Sequence, residues 1–202
     1  MKRIGVLGGT FDPPHKGHIY IAKEAYKRLE LDKIIFMPAG TPPHKTYKQI
    51  TDGHIRYEMV KLTVKTYPYF VVSNYEISKN GLSYTYLTLR HLKKENKDSE
   101  IYFIAGADSL LQLEEWRNVQ EILDDATLVI FGRPGFSKEK LLRKKYIIEE
   151  KYKHEIIYLD LLELDISSSD IRKEINKGLP IPSLINEEVR KYINDMGLYK
   201  ER

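Results

Sequence analysis

Two histidines near the N-terminus, His15 and His18, follow a glycine-rich segment and together could bind phosphate groups. The segment reads Gly8-Gly9-Thr10-Phe11-Asp12-Pro13-Pro14-His15-Lys16-Gly17-His18. Two adjacent glycines let the backbone approach a phosphate closely and leave its amides able to donate hydrogen bonds. The spacing of the histidines places both imidazoles on one side of the first turn of a predicted helix, beside the positive end of its dipole. This combination is typical of a polyphosphate-binding site.

Other interpretations of the same segment are less well supported. The segment lacks the third glycine of the dinucleotide-binding fingerprint and the Gly-Lys-Ser/Thr of a Walker loop, so neither pyridine-dinucleotide redox chemistry nor P-loop hydrolysis is indicated. Either histidine could instead cap the helix or lie in the core. The pair could also hold zinc, but no third ligand is obvious and catalytic zinc takes three protein ligands. We therefore favour the phosphate site and name no metal ligand.

A second candidate anion site lies towards the C-terminus, where Ser167, Ser168 and Ser169 precede Asp170 and a predicted helix. Serines in this position are typical helix N-caps. A serine-rich helix start with Arg172 in its first turn also suits a phosphate. Both roles stay open.

Short β-branched runs alternate with helical patterns along the chain, which predicts an α/β fold with a Rossmann-like, open, mostly parallel sheet and flanking helices. In such a sheet, ligands bind at the carboxyl ends of the strands near a switch point. The predicted strands are Arg3–Leu7, Lys33–Met37, Phe70–Asn74, Glu100–Ala105, Thr127–Phe131 and Glu155–Leu159. The predicted helices follow the first strand (Ile19 to Leu29) and cover Gly53–Thr66, Tyr84–Glu95, Val119–Leu123, Lys138–Glu150, Asp170–Lys177 and Asn186–Met196. We expect one domain over residues 1–202, with 166–202 as a C-terminal helical segment packed on it.

Three further residues follow predicted strands and should therefore lie at the ligand-binding edge. Gly106 would allow close approach of a nucleotide, and Asp108 could accept a ribose hydroxyl or instead cap the next helix. Arg133 follows the strand Thr127–Phe131, where it would serve a phosphate or the nucleotide.

Composition excludes several classes of function. The 202 residues include no cysteine, which rules out disulfides, thiolate metal sites and cysteine nucleophiles. No segment has the length of a secretory signal or a membrane span, so we expect a cytoplasmic protein without a membrane partner. The net charge is +4, and between Lys138 and His154 seven Lys or Arg accompany three Glu. This stretch could bind nucleic acid, but it lacks interleaved aromatic residues, and a solvated helix face is the better interpretation.

The Gly8–His18 segment resembles the T/HxGH signature of the nucleotidyltransferase superfamily, and its longer form is similar to the G-G-T-F-D-P-x-H-x-G-H motif of the bacterial nicotinate-nucleotide adenylyltransferases. Further similar segments run along nearly the whole chain. They are Thr41-Pro42-Pro43-His44-Lys45, Arg56, Ser83-Tyr84-Thr85, Gly106-Ala107-Asp108-Ser109-Leu110, Trp116, Arg133-Pro134-Gly135, Ile166 to Arg172, and Gly197-Leu198-Tyr199.

The resemblance implies a reaction in which nicotinate mononucleotide attacks the α-phosphorus of ATP in line, giving deamido-NAD and pyrophosphate without a covalent enzyme intermediate. It also implies Mg²⁺ held mainly by the ATP phosphates, and it is compatible with a homo-oligomer. Such a transfer requires mainly positioning and charge stabilisation, which suits a signature of donors and cations.

The resemblance also implies a role for individual residues. His18, His15 and Arg172 would be catalytic, with His18 stabilising charge at the α-phosphate. The residues implied to bind ATP are Gly8, Gly9, Thr10, Phe11, His15, His18, Gly106, Asp108, Ser168 and Arg172. Those implied to bind nicotinate mononucleotide are His44, Lys45, Tyr84, Thr85, Asp108, Trp116 and Arg133. Trp116 would stack on the pyridine ring, with Tyr84 and Thr85 supplying a wall and amides for the carboxylate, although core packing is the ordinary role of a lone tryptophan. Arg56 suits a structural ion pair equally well.

Three alternative functions remain at this stage. A sibling transferase for phosphopantetheine or a cytidylyl group shares the HxGH core, but would not predict Ser83-Tyr84-Thr85 together with Trp116. An enzyme that prefers the nicotinamide mononucleotide differs only in recognising an amide instead of a carboxylate. A non-catalytic nucleotide sensor would be expected to lose a histidine or the serine–arginine segment, and both are present.

Overall fold

The computed structural model describes residues 1–41, 50–79, 81–132, 135–161, 166–180 and 183–200. Within these residues six strands form one sheet in the order β3-β2-β1-β4-β5-β6, and each neighbouring pair is parallel. The strands are β1 Lys2–Gly9, β2 Lys33–Pro38, β3 Phe70–Val72, β4 Ser99–Gly106, β5 Thr127–Phe131 and β6 Ile156–Leu159. The predicted α/β class with a Rossmann-like parallel sheet is confirmed.

Helices connect successive strands, and two further helices follow β6. They are α1 Lys16–Arg28, α2 Gly53–Val64, α3 Thr85–Glu95, α4 Ala107–Leu111, α5 Val119–Asp125, α6 Lys138–Tyr152, α7 Ser168–Asn176 and α8 Glu187–Asp195, with a short 3₁₀ helix at Leu113–Glu115. Neither α4 nor the 3₁₀ helix was predicted. No described helix is both long enough and apolar enough to cross a membrane.

The sheet buries apolar residues on both faces, as its continuous hydrophobic strands predict. Successive residues of β2 alternate between two core clusters, with Ile35 and Met37 in one and Ile34 and Phe36 in the other. Each fully buried aliphatic side chain contributes roughly 1.5–3 kcal/mol relative to its exposed state. The central strands are therefore held rigidly, and so are the loops that leave their ends.

The strand order reverses direction between β1 and β4, which lie side by side in the middle of the sheet. The residues at their carboxyl ends are Gly8 and Gly9 on β1 and Gly106 on β4. A crevice at such a switch point is the usual ligand site of this architecture. The topology thus brings together two glycine-containing segments about 100 residues apart in sequence.

A third apolar cluster joins α2 to the two C-terminal helices. It consists of Met59, Ile171, Ile175, Ile185, Val189 and Ile193, all buried. The helix start at Ser168 is thereby fixed relative to the sheet, because α7 is anchored through Ile171 and Ile175.

The basic stretch forms most of α6, and its charges lie largely on a solvated face, as predicted. Lys144 and Lys151 both pair with Glu114 of the 3₁₀ helix, and these two ammonium groups lower the pKa of the Glu114 carboxyl to about 2. Arg143 and Lys145 pair with acids one helical turn away. Surface ion pairs of this kind contribute little stability individually.

Candidate active site

A cavity of about 930 Å³ opens at the carboxyl ends of β1 and β4. Its lining includes all the predicted site residues that lie in the described part of the chain. These are Gly8, Gly9, Thr10, Phe11, His15, His18, Tyr84, Thr85, Gly106, Asp108, Trp116, Ser168 and Arg172. Three predicted residues, His44, Lys45 and Arg133, lie outside the described residues. Residues predicted from five separate segments therefore share one concave surface.

The turn after β1 depends on close packing between Gly9 and Phe11. Phe11 is buried and adopts a φ of 51°, in the left-handed region that side chains rarely occupy. A Cβ atom at Gly9 would lie 3.0–3.2 Å from the Phe11 ring. A glycine at position 9 therefore lets the aromatic ring fold under the loop, which holds the backbone at the cavity wall.

The two signature histidines contact each other at the start of α1. His15 is the N-cap residue of this helix, and its backbone N–H donates to Nδ1 of His18 at 3.1 Å. The two ring centroids are 3.7 Å apart. Because Nδ1 of His18 accepts a hydrogen bond, the hydrogen of the neutral imidazole is carried by Nε2. The fold thus selects the tautomer of a histidine that lines the cavity.

The serine cluster at the start of α7 is bonded directly to the signature loop. Ser167 is the N-cap residue and accepts from the Asp170 backbone N–H at 3.1 Å, so the capping role is confirmed. The Ser168 hydroxyl donates to the carbonyl of Pro13 at 2.8 Å, and Arg172 Nη1 donates to the carbonyl of Asp12 at 2.7 Å. The second predicted anion site therefore adjoins the first.

Asp12 lies under the same loop and links it to the C-terminal residues. Its carboxylate is buried and accepts from the Tyr199 hydroxyl at 2.7 Å and from the Thr51 backbone N–H at 3.2 Å. Burial, followed by the nearby charge of Asp12, raises the pKa of Tyr199. The phenol is consequently a neutral donor at physiological pH, and a segment 187 residues away helps to hold the loop.

Arg56 is buried, and its hydrogen bonds go to backbone carbonyls. Its guanidinium donates to Thr51 O at 2.8 Å, Thr10 O at 2.7 Å, Ala39 O at 2.7 Å and Gly40 O at 3.3 Å. Burial lowers the pKa of this guanidinium, but arginine stays charged in proteins. The side chain joins the loops after β1 and β2. It does so through hydrogen bonds to carbonyl groups, where the sequence suggested an ion pair.

The other end of the cavity is formed by the start of α3 and by Trp116. Tyr84 is the N-cap residue of α3 with an extended backbone, so the first N–H groups of the helix lack intrahelical acceptors. Trp116 packs edge-on against Phe103, with 6.2 Å between the ring centroids, and also lines the cavity. The core role and the cavity-lining position of this tryptophan are therefore compatible.

Asp108 lies in the first turn of α4, and the N-cap of this helix is Gly106. The alternative in which Asp108 caps the helix is therefore wrong. Its carboxylate lies at the carboxyl end of β4 and lines the cavity.

The chain is similar along almost its whole length to bacterial proteins that all carry the same name. A family model described as cytidylyltransferase-like matches residues 6–174. A protein of Clostridium perfringens (strain 13 / Type A) named "probable nicotinate-nucleotide adenylyltransferase" is 52% identical over 200 residues, which are 99% of each chain. A protein of the same name from Clostridium tetani is 48% identical over 99% of this chain and 100% of the relative. The chain belongs to the nicotinate-nucleotide adenylyltransferase family. It is accordingly a nucleotidyltransferase, and the predicted enzyme class is confirmed.

Solved structures of this family share the fold at low sequence identity. The Plasmodium falciparum nicotinic acid mononucleotide adenylyltransferase complexed with NaAD is 21% identical, covers 98% of both chains and has a TM-score of 0.80. The same enzyme complexed with APC gives a TM-score of 0.78 at 20% identity. At this identity the likeness extends to the fold alone.

Several lining residues of this family member were not predicted as site residues, among them Glu76, Thr88 and Arg117. Glu76 and Thr88 are buried, and Arg117 places its guanidinium 4.6 Å from the centre of the Tyr84 ring. Arg117 follows Trp116 directly, so adjacency was the one available signal for it. Thr88 lies in the predicted helix Tyr84–Glu95, and no motif singled out Glu76 or Thr88.

Proposed function

We propose that the chain transfers the adenylyl group of ATP to nicotinate mononucleotide, forming deamido-NAD and pyrophosphate in NAD biosynthesis. The observation that carries this proposal is a single cavity, lined at one end by the histidine-bearing loop and at the other by Tyr84 and Trp116. The names of relatives about 50% identical over nearly the whole chain support the same reaction, as does a solved relative complexed with NaAD.

The phosphate side of the cavity supplies donors and cations rather than a nucleophile. His18, Arg172 and the loop amides near Gly9 line one end, where a triphosphate would meet two helix N-termini. The chain has no cysteine. This set supports in-line attack of the mononucleotide phosphate on the α-phosphorus without a covalent enzyme intermediate.

The acceptor side supplies a flat apolar surface beside unsatisfied amides. Trp116 would stack on the pyridine ring, and amides at the start of α3 would donate to its carboxylate. Asp108 would accept a ribose hydroxyl. An aromatic plane next to helix N-terminal amides suits an anionic heteroaromatic acid better than the flexible chain of phosphopantetheine.

We also propose Mg²⁺ as the metal ion of the reaction. Among the described residues no three His, Asp or Glu groups are placed to hold a metal ion, and the phosphate end of the cavity presents His15, His18 and Arg172. These residues fit an ion whose ligands are phosphate oxygens and water. When bound, Mg²⁺ would neutralise phosphate charge, and His15, His18, Ser168 and Arg172 would position the same phosphates.

Pyrophosphate release from ATP tests the proposed function. We expect release with nicotinate mononucleotide, slower release with nicotinamide mononucleotide, and none above background with phosphopantetheine. Faster turnover of the amide would contradict the substrate assignment. Turnover of phosphopantetheine alone would place the chain with the sibling transferases.

Replacing Trp116 with alanine should raise the KM for nicotinate mononucleotide and leave the KM for ATP nearly unchanged. An aromatic contact contributes about 0.5–1.5 kcal/mol, which corresponds to roughly a 2- to 10-fold rise in KM. Steady-state kinetics with each substrate varied in turn measure both constants. Trp116→Phe keeps an aromatic face and should recover most of the loss. An equal rise in both KM values would argue against stacking on the pyridine ring.

Replacing Arg172 with glutamine should weaken use of ATP. A hydrogen bond to a charged group contributes about 1.5–3 kcal/mol, so kcat/KM for ATP should fall roughly 10- to 150-fold. Lys173→Gln is the matched control, because Lys173 is the next residue of α7 and its side chain is exposed. If Arg172→Gln behaved like this control, Arg172 would have no role at the phosphates.

A further inference from the structure

Glu76 is a buried carboxyl group that no step of the proposed reaction uses. It lies between β3 and α3 and lines the acceptor side of the cavity near Ser83 and Tyr84. Oε1 accepts from the Thr88 hydroxyl at 2.7 Å. The Ser83 hydroxyl and the Gly40 backbone N–H also donate to this carboxyl group. Burial raises the pKa of Glu76, and these three hydrogen bonds oppose that rise.

The three donors come from three different parts of the fold. Gly40 follows β2, Ser83 precedes α3, and Thr88 lies one turn into α3. The packing around them is close, because a Cβ atom at Gly40 would lie 2.1 Å from the Glu76 carbonyl oxygen and 2.8 Å from the Ser83 hydroxyl. Glu76 therefore connects the end of β2 to the start of α3 at a place where neither can shift independently.

A second set of bonds fixes the same segment. The Ser83 backbone N–H donates to Thr41 O at 2.9 Å, and the Thr41 backbone N–H donates to the Ser83 hydroxyl oxygen at 3.3 Å. The Ser83 hydroxyl hydrogen is then directed to Glu76. Tyr84 and Thr85 follow directly in the chain, so the position of Ser83 determines where their amides point.

A carboxylate is the side chain best suited to this position. It can accept from all three donors, since its two oxygens offer about four lone-pair sites. An amide side chain would place an N–H₂ group against at least one donor. A buried donor left without an acceptor is costly, so the segment would have to move to relieve the mismatch.

We infer that Glu76 is a positioning residue that gives the cavity its preference for an acceptor bearing a carboxylate over the corresponding amide. It acts through Ser83, which fixes the positions of Tyr84 and Thr85, and the backbone amides of these two residues would donate to the acceptor. This inference rests on the proposed function, because the acceptor pair is nicotinate and nicotinamide mononucleotide. The carboxylate substrate needs both amide donors in place, whereas the neutral amide substrate gains less from them.

The test is the ratio of kcat/KM for nicotinate mononucleotide to that for nicotinamide mononucleotide, measured for the full chain. Glu76→Gln should lower this ratio about tenfold or more, the effect of losing one hydrogen bond to a charged group. The KM for ATP should stay within about twofold. Glu95→Gln, an exposed position on α3, is the matched control and should keep the wild-type ratio. Thermal unfolding of each variant measures stability separately.

Thr88→Val provides a second test if Glu76→Gln does not fold. It removes one donor but keeps the branched shape, and it should also lower the ratio. A variant that melts earlier but keeps the wild-type ratio would show that Glu76 serves stability alone, and would overturn the inference while leaving the proposed function intact. A wild-type chain that prefers the amide would overturn both.

Discussion

Replacing His18 with alanine is expected to slow turnover roughly 100- to 1000-fold while the fold is retained. His18 lines the cavity beside the glycine-rich loop, and its tautomer is set by the hydrogen bond from the His15 backbone N–H to Nδ1. Nε2–H is then the donor that would meet negative charge developing at the α-phosphate. Removing one preorganised donor of this type costs about 3–4 kcal/mol of barrier.

The loss should fall on kcat rather than on the KM for ATP. Loop amides, Ser168 and Arg172 would still bind the ground-state phosphates, so only the interaction that strengthens in the transition state disappears. Pyrophosphate release under saturating ATP and nicotinate mononucleotide measures this directly. Turnover close to wild type would show that His18 does not stabilise the transition state.

His54→Ala is the matched control for this experiment. His54 is exposed on α2, and only its backbone N–H bonds to the helix cap. We expect wild-type kinetics from this variant. Circular dichroism and thermal unfolding of both variants separate lost chemistry from lost structure.

The strands of this protein were predictable because each is a compact apolar run. Alternation of such runs with helical patterns implies a parallel sheet, and the rule that ligands bind at the carboxyl ends then locates the site. The first and last residues of the strands and helices were less predictable. The third strand was predicted as Phe70–Asn74 but ends at Val72, since it is a short edge strand paired only with β2.

Short elements escaped prediction for a physical reason. α4 has five residues and the 3₁₀ helix Leu113–Glu115 has three, fewer than are needed to display helical periodicity. They nevertheless place Asp108 and Trp116 on the cavity wall. Asp108 was identified by its place after the predicted strand Glu100–Ala105, and Trp116 was identified by resemblance.

The positions that escaped interpretation are those whose hydrogen-bond partners come from other segments of the chain. Glu76 is bonded by Gly40, Ser83 and Thr88, and nothing in the residue types announces these bonds. Glycine and histidine at the signature loop carry their chemistry in their type and spacing. A buried charge that accepts from or donates to backbone can be recognised only when the loops are folded around it.

Arg56 is the extreme case, and its replacement by methionine should be the most destabilising change considered for this chain. Methionine keeps an unbranched apolar stem but leaves the carbonyls of Thr10, Ala39 and Thr51 without their buried donor. Removing one partner from a buried charged network costs about 3–5 kcal/mol. Urea unfolding monitored by circular dichroism should show that decrease in the free energy of unfolding.

Arg56→Lys should recover only part of the loss, because one ammonium group cannot reproduce a planar fork that reaches several carbonyls. The control is Arg143→Met, since the Arg143 side chain is 77% exposed. Its stability should stay within about 0.5 kcal/mol of wild type. A loss below about 1 kcal/mol for Arg56→Met would contradict the structural role of the buried guanidinium.

Arg56→Lys should weaken the binding of both substrates, provided that the variant folds. Arg56 bonds to Thr10 in the phosphate loop and to Gly40, whose N–H donates to Glu76 behind the acceptor wall. Weakening the hydrogen bonds of Arg56 should therefore disturb both ends of the cavity. We expect the KM values of ATP and nicotinate mononucleotide to rise in parallel in Arg56→Lys, in contrast to the one-sided change expected for Trp116→Ala.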